Sequence, residues 1–221
     1  MNGPRLLEPR PFGGTGLSVS PLCVGTSGWG RLRPGEGEAA RTARVAALAD
    51  QVLRGADGLN YLDTSNIYGN GTSEAVIGAA LQQAGGPPGG VVIQTKLDRN
   101  LADNDFSAGQ MWRSLEQSLT RLGLDRLQVL FLHDPEVVGF EAVMTPGGAV
   151  ETLVEMKRQG LAGAIGISGA PVAMMTRFVA TGWFDVLISH NRYTLVDRCA
   201  GPLFAAAKAR GMAVNNAGVM S

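Results

Sequence analysis

Asp63, Tyr68, Lys96 and His133 are the side chains of this sequence whose types, taken together, suit proton transfer. A tyrosine ordinarily titrates near about pH 10 and is a poor acid or base at neutral pH. A lysine ammonium beside it favours the phenolate and lowers that value. An aspartate in turn keeps the ammonium charged and oriented, and a histidine can hydrogen-bond a substrate oxygen. Such a set is a proton donor or acceptor matched to a carbonyl or an alcohol. Each residue alone also has a plainer reading. Asp63, in LDTSNIYG (62–69), fits a helix cap or an acceptor for turn amides. Tyr68 with Gly69 fits a surface turn, Lys96 fits a side chain snorkelling from a strand end, and His133 fits a hydrogen-bonded core histidine.

Groups so far apart in the chain meet only if the fold gathers the ends of several elements. Short apolar runs predict strands at 22–26, 61–64, 91–96, 127–133, 164–168, 186–190 and 213–218. Amphipathic runs predict helices near 38–55, 73–84, 108–122, 148–159, 171–181 and 201–210. Ser107 and Thr145 precede helical patterns and Pro171 suits a first helical turn, while Gly123, Gly160 and Gly211 stand where C-caps belong. Apolar strands alternating with helices imply a parallel sheet covered on its outer face. No G-x-G-x-x-G follows the first strand, which weighs against a dinucleotide-binding open sheet. The polar residues Asp63, Lys96, His133, Ser168, His190 and Asn216 fall at strand C-termini, the active face of a (β/α)8 TIM barrel. The pattern therefore predicts one barrel-type domain over 1–221. It stops after the seventh strand, at NNAGVMS, so it reads as a barrel truncated before its C-terminal βα portion. Complete barrels take about 250 residues, and an open one exposes two strand edges.

Composition narrows the function classes. The 221 residues carry 19 basic and 19 acidic side chains, so nothing in the charge invites nucleic acid or an anionic membrane. Cys23 and Cys199 form neither a metal-type cluster nor a disulfide framework. The N-terminal stretch lacks the apolar run of a signal peptide and no segment is long enough to span a bilayer, which points to a cytoplasmic protein. The 31 glycines have no collagen-like period and fit tight turns between many elements. Trp29 and Trp183 read as packing residues, with Trp29 also placed to wall a pocket.

The segments GLNYLDTSNIYGNGTSEAVIGAAL, VVIQTK, SLEQSLTRLGLDRLQVLFLHDPE, GAIGIS and NRYTLVD, in that order, make the chain resemble the aldo-keto reductases over nearly its whole length. The resemblance implies a (β/α)8 barrel binding NAD or NADP in extended form. Asp63, Tyr68, Lys96 and His133 would be the catalytic tetrad, with Tyr68 the acid–base group and His133 orienting the carbonyl. It also implies cofactor contacts at Ser168, His190, Asn216 and Thr26, and no metal. The asparagine that usually follows Ser168 is Gly169 here, and His190 stands where many members have glutamine. NRYTLVDRC and FLHDPE look closest to the branch with D-threo-aldose (L-fucose) 1-dehydrogenases and pyridoxal dehydrogenases. Hydride transfer at a sugar hemiacetal or aldehyde carbon is the function so implied. The alternatives are reduction of other carbonyls, or a cofactor-binding regulatory barrel without turnover, which the altered Gly169 and Asn216 positions leave open.

Overall fold

A computed structural model describes residues 7–220; residues 1–6 and 221, and with them part of the N-terminal stretch read for a signal peptide, lie outside the described residues. The described chain opens with an antiparallel hairpin, β1 (Arg10–Pro11) and β2 (Ser18–Val19), closed by Phe12 N–H donating to the Leu17 carbonyl. Sequence periodicity misses this hairpin because Pro11 and the glycines after it leave no alternating pattern to read. From there strands and helices alternate: β3 (Val24–Gly25), α1 (Glu38–Leu53), β4 (Tyr61–Asp63), α2 (Thr72–Gln83), β5 (Val92–Leu97), α3 (Ala108–Leu122) and β6 (Leu127–His133). A single-turn α4 (Phe140–Val143) is also new. It precedes α5 (Ala149–Arg158), β7 (Ala162–Gly169), α6 (Val172–Thr181), β8 (Val186–His190), α7 (Gly201–Ala209) and β9 (Ala213–Ala217). The largest departures from the expected bounds are β3, shorter than 22–26, and β7, which starts at Ala162.

Strands β3 to β9 form one parallel seven-stranded sheet in chain order, with β3 and β9 at its edges. This is the expected barrel sheet, without an eighth strand among the described residues. Alternation along the strands sorts the side chains into two layers. Along β5, Ile93 and Leu97 face the helices with Leu130, Leu132, Leu153 and Phe178, while Val92 faces the barrel interior with Tyr61, Val129, Phe131 and Ile188. Phe12, from the hairpin region, packs edge-on against Tyr61 (ring centroids 5.3 Å apart) and joins the interior layer. Gly166 gives Phe131 its place: a Cβ there would lie 2.2 Å from the Phe131 ring.

Local signals explain most helix ends. Ser107 Oγ accepts from Gln110 N–H at 3.2 Å, and Gly123 closes α3 in the left-handed region at φ 66°. Thr145 does not start α5; its hydroxyl donates to the Glu141 carbonyl and Gly148 takes the cap position. Trp29 is buried in the outer layer, whereas Trp183 is 40% exposed, a correction to the packing reading. Trp183 directly follows the C-cap Gly182 of α6 at the surface, and its neighbour Phe184 takes the buried place instead. Among the described residues no helix is long and apolar enough to cross a membrane.

Candidate active site

Asp63, Lys96 and His133 each end, or nearly end, one of three adjacent strands. The register sets Asp63 beside Gln94 and Lys96 beside Phe131, so alternation turns all three side chains into the same barrel mouth. Tyr68 comes from the loop between β4 and α2. That loop is held by a close backbone approach, for a Cβ on Gly30 would lie 2.4 Å from the Gly69 Cα, and Gly69 itself has φ 59°.

Lys96 Nζ is the hub of the site. It donates to Asp63 Oδ1 at 2.8 Å, to the Thr64 carbonyl at 2.7 Å and to the Tyr68 hydroxyl at 3.3 Å, and it lies 4.6 Å from the centre of the Tyr68 ring. Burial works against the ammonium, but Asp63 and Tyr68 outweigh it and hold the group above its ordinary range. The snorkelling reading fails, since Lys96 is only 1% exposed. Nor does Asp63 cap a helix: α2 begins after Gly71, and Asp63 Oδ1 instead accepts from Lys96 and from Gln94 Nε2 at 2.7 Å. Burial pushes the Tyr68 phenol up by more than Lys96 pulls it down, so it stays above the ordinary tyrosine value. The expected net lowering by Lys96 is therefore not reached in the protein alone.

His133 has a partner that the sequence reading missed. Its Nδ1 lies 2.6 Å from Asp98 Oδ1, and the other Asp98 oxygen accepts from the Ser65 hydroxyl and from Ile67 N–H. A carboxylate only accepts, so Nδ1 carries a proton; Nε2, 3.7 Å from Asp134 Oδ1, is the ring atom left to meet a ligand. It accepts from an alcohol when the ring is neutral and donates to a carbonyl when protonated. The His133 and Tyr68 rings meet edge-on with centroids 5.8 Å apart. Asp98 stands two residues beyond Lys96, in phase with it, which is the one sequence signal that could have found it. No comparable signal marks Gln94 or Ser65.

The other expected contacts are spread unevenly. Ser168 pairs with His133 in register, is buried, and its hydroxyl makes no hydrogen bond among the described residues. His190 ends β8, and its Nε2 lies 3.4 Å from Asp134 Oδ1; that contact, against burial, raises the imidazole above its ordinary value. Burial opposes the Asp134 carboxylate, yet His190, His133 and Lys96 hold it below the usual range. Thr26 is fully buried, donating to the Asp63 carbonyl at 3.0 Å and accepting from Ser73 Oγ at 2.6 Å, so it braces the strand end from below. Asn216 donates to the Tyr193 carbonyl at 2.7 Å and is exposed there, away from the tetrad; its neighbour Asn215 is the one that turns inward, donating to the Tyr61 hydroxyl. The structure thus gathers Asp63, Tyr68, Lys96 and His133 at one mouth, with Ser168 and His190 along the same rim.

A sequence model described as the Aldo/keto reductase family matches residues 21–221. The chain is 31% identical over 214 residues to an L-galactose dehydrogenase of Arabidopsis thaliana, covering 96% of this chain and 65% of that protein. It is 32% identical over 167 residues to a D-threo-aldose 1-dehydrogenase of a Pseudomonas species, covering 65% of this chain and 50% of that protein. A solved aldo-keto reductase from Bacillus halodurans shares the fold, with a TM-score of 0.76 at 23% identity over 95% of this chain and 65% of its own. The chain therefore spans about half to two thirds of the length of these curated relatives.

Proposed function

The chain belongs to the aldo/keto reductase family, and from that premise we propose that its protein is an NAD(P)-dependent oxidoreductase acting on a sugar hemiacetal or an aldehyde carbon. The observation that carries the proposal is the continuous contact from Asp63 through Lys96 to Tyr68, with the His133 ring beside Tyr68. In the oxidising direction the substrate hydroxyl gives its proton to Tyr68 Oη as the carbon gives up hydride. Lys96 stabilises the phenolate that takes this proton, and Asp63 keeps Lys96 charged and aimed. His133 Nε2 holds the reacting oxygen in place. Reduction runs the same contacts backwards, with the Tyr68 hydroxyl as the acid.

The nicotinamide, when bound, supplies the acceptor or donor of the hydride. The rim suits such a group: a carboxamide needs both a donor and an acceptor, and the Ser168 hydroxyl, without a hydrogen bond among the described residues, and the His190 ring offer both on the same rim as Lys96 and His133. The named activities of the two relatives, L-galactose dehydrogenase and D-threo-aldose 1-dehydrogenase, support a sugar as the substrate class.

The test uses the full-length protein with L-galactose, L-fucose, D-arabinose and pyridoxal, each with NAD and with NADP, following absorbance of the reduced nicotinamide. Turnover of at least one sugar, lost in Tyr68→Phe, is expected. Turnover nowhere across an enlarged carbonyl and alcohol panel, with Tyr68→Phe indistinguishable from the parent, overturns the proposal.

A further inference from the structure

Beneath the tetrad, the barrel interior holds polar groups that the proton-transfer scheme does not use. Gln94 lies one alternation below Lys96 on β5 and is 1% exposed. Its Nε2 donates to Asp63 Oδ1 at 2.7 Å, and its Oε1 accepts from the buried Tyr61 hydroxyl. That hydroxyl in turn accepts from Asn215 Nδ2 at 2.7 Å, and Asn215 also stands 3.4 Å from Gln94 Oε1. The contacts run across β9, β4 and β5 and end on the carboxylate that holds Lys96.

The direction of every link follows from the charged end. A carboxylate accepts only, so Gln94 must present its NH₂ to Asp63. Its carbonyl oxygen then faces Tyr61, which must donate, leaving the phenol oxygen to accept from the Asn215 amide. A side-chain amide that otherwise could sit either way round is locked in one orientation. We infer that Tyr61, Gln94 and Asn215 form a positioning relay under the catalytic groups, which aims Asp63 at Lys96 and so sets how readily Tyr68 gives and takes its proton. The inference rests on the proposed role of Tyr68.

Two effects of the relay act in the same sense. The donor end of Gln94 offsets part of the Asp63 charge, which otherwise disfavours the Tyr68 phenolate. Fixing Asp63 also fixes Lys96, which favours it. The ionisable groups that face this system are few. Among the described residues, Lys96, Asp63, Asp98 and the His133 ring face Tyr68, Asp134 and Cys23 face Lys96, and Cys23 and Asp63 face Tyr61.

The test is Gln94→Met, which keeps the side-chain length and removes both hydrogen-bonding atoms. The acid-side limb of the kcat profile for alcohol oxidation, along which Tyr68 becomes protonated, is expected to move up by about half to one pH unit. At neutral pH kcat is expected to fall by about 3- to 10-fold with KM changed by less than about 2-fold, since one unit of pKa is a factor of about ten. A merely structural glutamine would lower the thermal midpoint and leave the limb where it is. Tyr61→Phe combined with Asn215→Ala, which strips both donors from Gln94 Oε1, should move the limb in the same direction and covers the case in which Gln94→Met does not fold. A second readout is independent of turnover: the onset of titration of the Tyr68 Cζ resonance in protein carrying carbon-13 tyrosine. Three tyrosines are present, and Tyr68→Phe assigns the signal. If the parent protein turns over nothing, the functional proposal fails while this onset still decides the relay. An unchanged onset and an unchanged limb in the folded variants overturn it.

Discussion

Lys96→Met separates the catalytic part proposed for the buried lysine from its contribution to stability. The ammonium lies 3.3 Å from Tyr68 Oη. At an effective dielectric constant of about 20, a unit charge at that distance is worth roughly 5 kcal/mol to a phenolate, or some three to four pKa units. Without it Tyr68 stays protonated through the whole usable pH range, and kcat for alcohol oxidation should fall by about 10²- to 10⁴-fold. Stability also falls, because Asp63 is left at 18% side-chain exposure with Gln94 as its remaining side-chain donor. Breaking a buried pair from one side costs about 3–5 kcal/mol. Here the partial exposure of Asp63 and the Gln94 contact argue for about 2–3 kcal/mol. Adding Asp63→Asn removes the stranded charge, so the double variant should regain most of the lost stability in urea unfolding and none of the lost rate. A Lys96→Met protein within about tenfold of the parent kcat, with an unmoved pH profile, would refute the reasoning. So would a double variant that recovers activity.

The remaining predictions probe neighbouring contacts. His133→Ala should lower kcat by about 10²-fold, and Asp98→Asn should lower it less, with KM little changed in steady-state kinetics, because the ring then loses only the carboxylate that orients Nδ1. The His190–Asp134 pair should contribute to stability in a defined pH window. His190 is raised above its ordinary 6.5, so its share is fully present below that value and is lost as the pH climbs through the raised one. Asp134 is lowered from 3.8, so its share is present above that value and is lost as the pH falls through the lowered one. The difference in thermal midpoint between parent and His190→Gln should therefore be widest between about pH 4 and 6.5 and close toward alkaline pH. Gly166→Ala should cost about 1–3 kcal/mol in denaturant unfolding, since the new methyl would collide with the Phe131 ring.

The order of strands and longer helices was legible in the sequence because each has its own period, and a parallel sheet in chain order repeats that pattern from β3 to β9, with the single-turn α4 as the one addition. That Asp63, Lys96 and His133 gather was legible because they stand at or next to consecutive strand ends, where alternation alone decides that they face one way, and Tyr68 follows Asp63 by five residues in the adjoining loop. The hairpin at Arg10–Pro11 and Ser18–Val19 was not, since two-residue strands broken by proline and glycine carry no period. Nor was the phase of β9: a pair of adjacent asparagines gives no local sign of which one faces the interior, and only the packing of Ala213 and Ala217 inward puts Asn215 there. Asp98, Gln94 and Tyr61 escaped for a related reason. Each acts through a partner on another strand, and sequence spacing does not report what stands across a sheet.

By itself, then, the sequence determined the order of the sheet strands and of the longer helices, the family, and the side chains that the proposed proton transfer uses. Only the tertiary structure decided how those residues are held. It surrounds Lys96 with Asp63 and Tyr68, puts Asp98 behind His133, and lets burial outweigh the lysine in setting Tyr68. Side-chain type and period are local properties of a chain. Desolvation and hydrogen-bond direction depend on everything packed around a group, and those exist only once the barrel has formed.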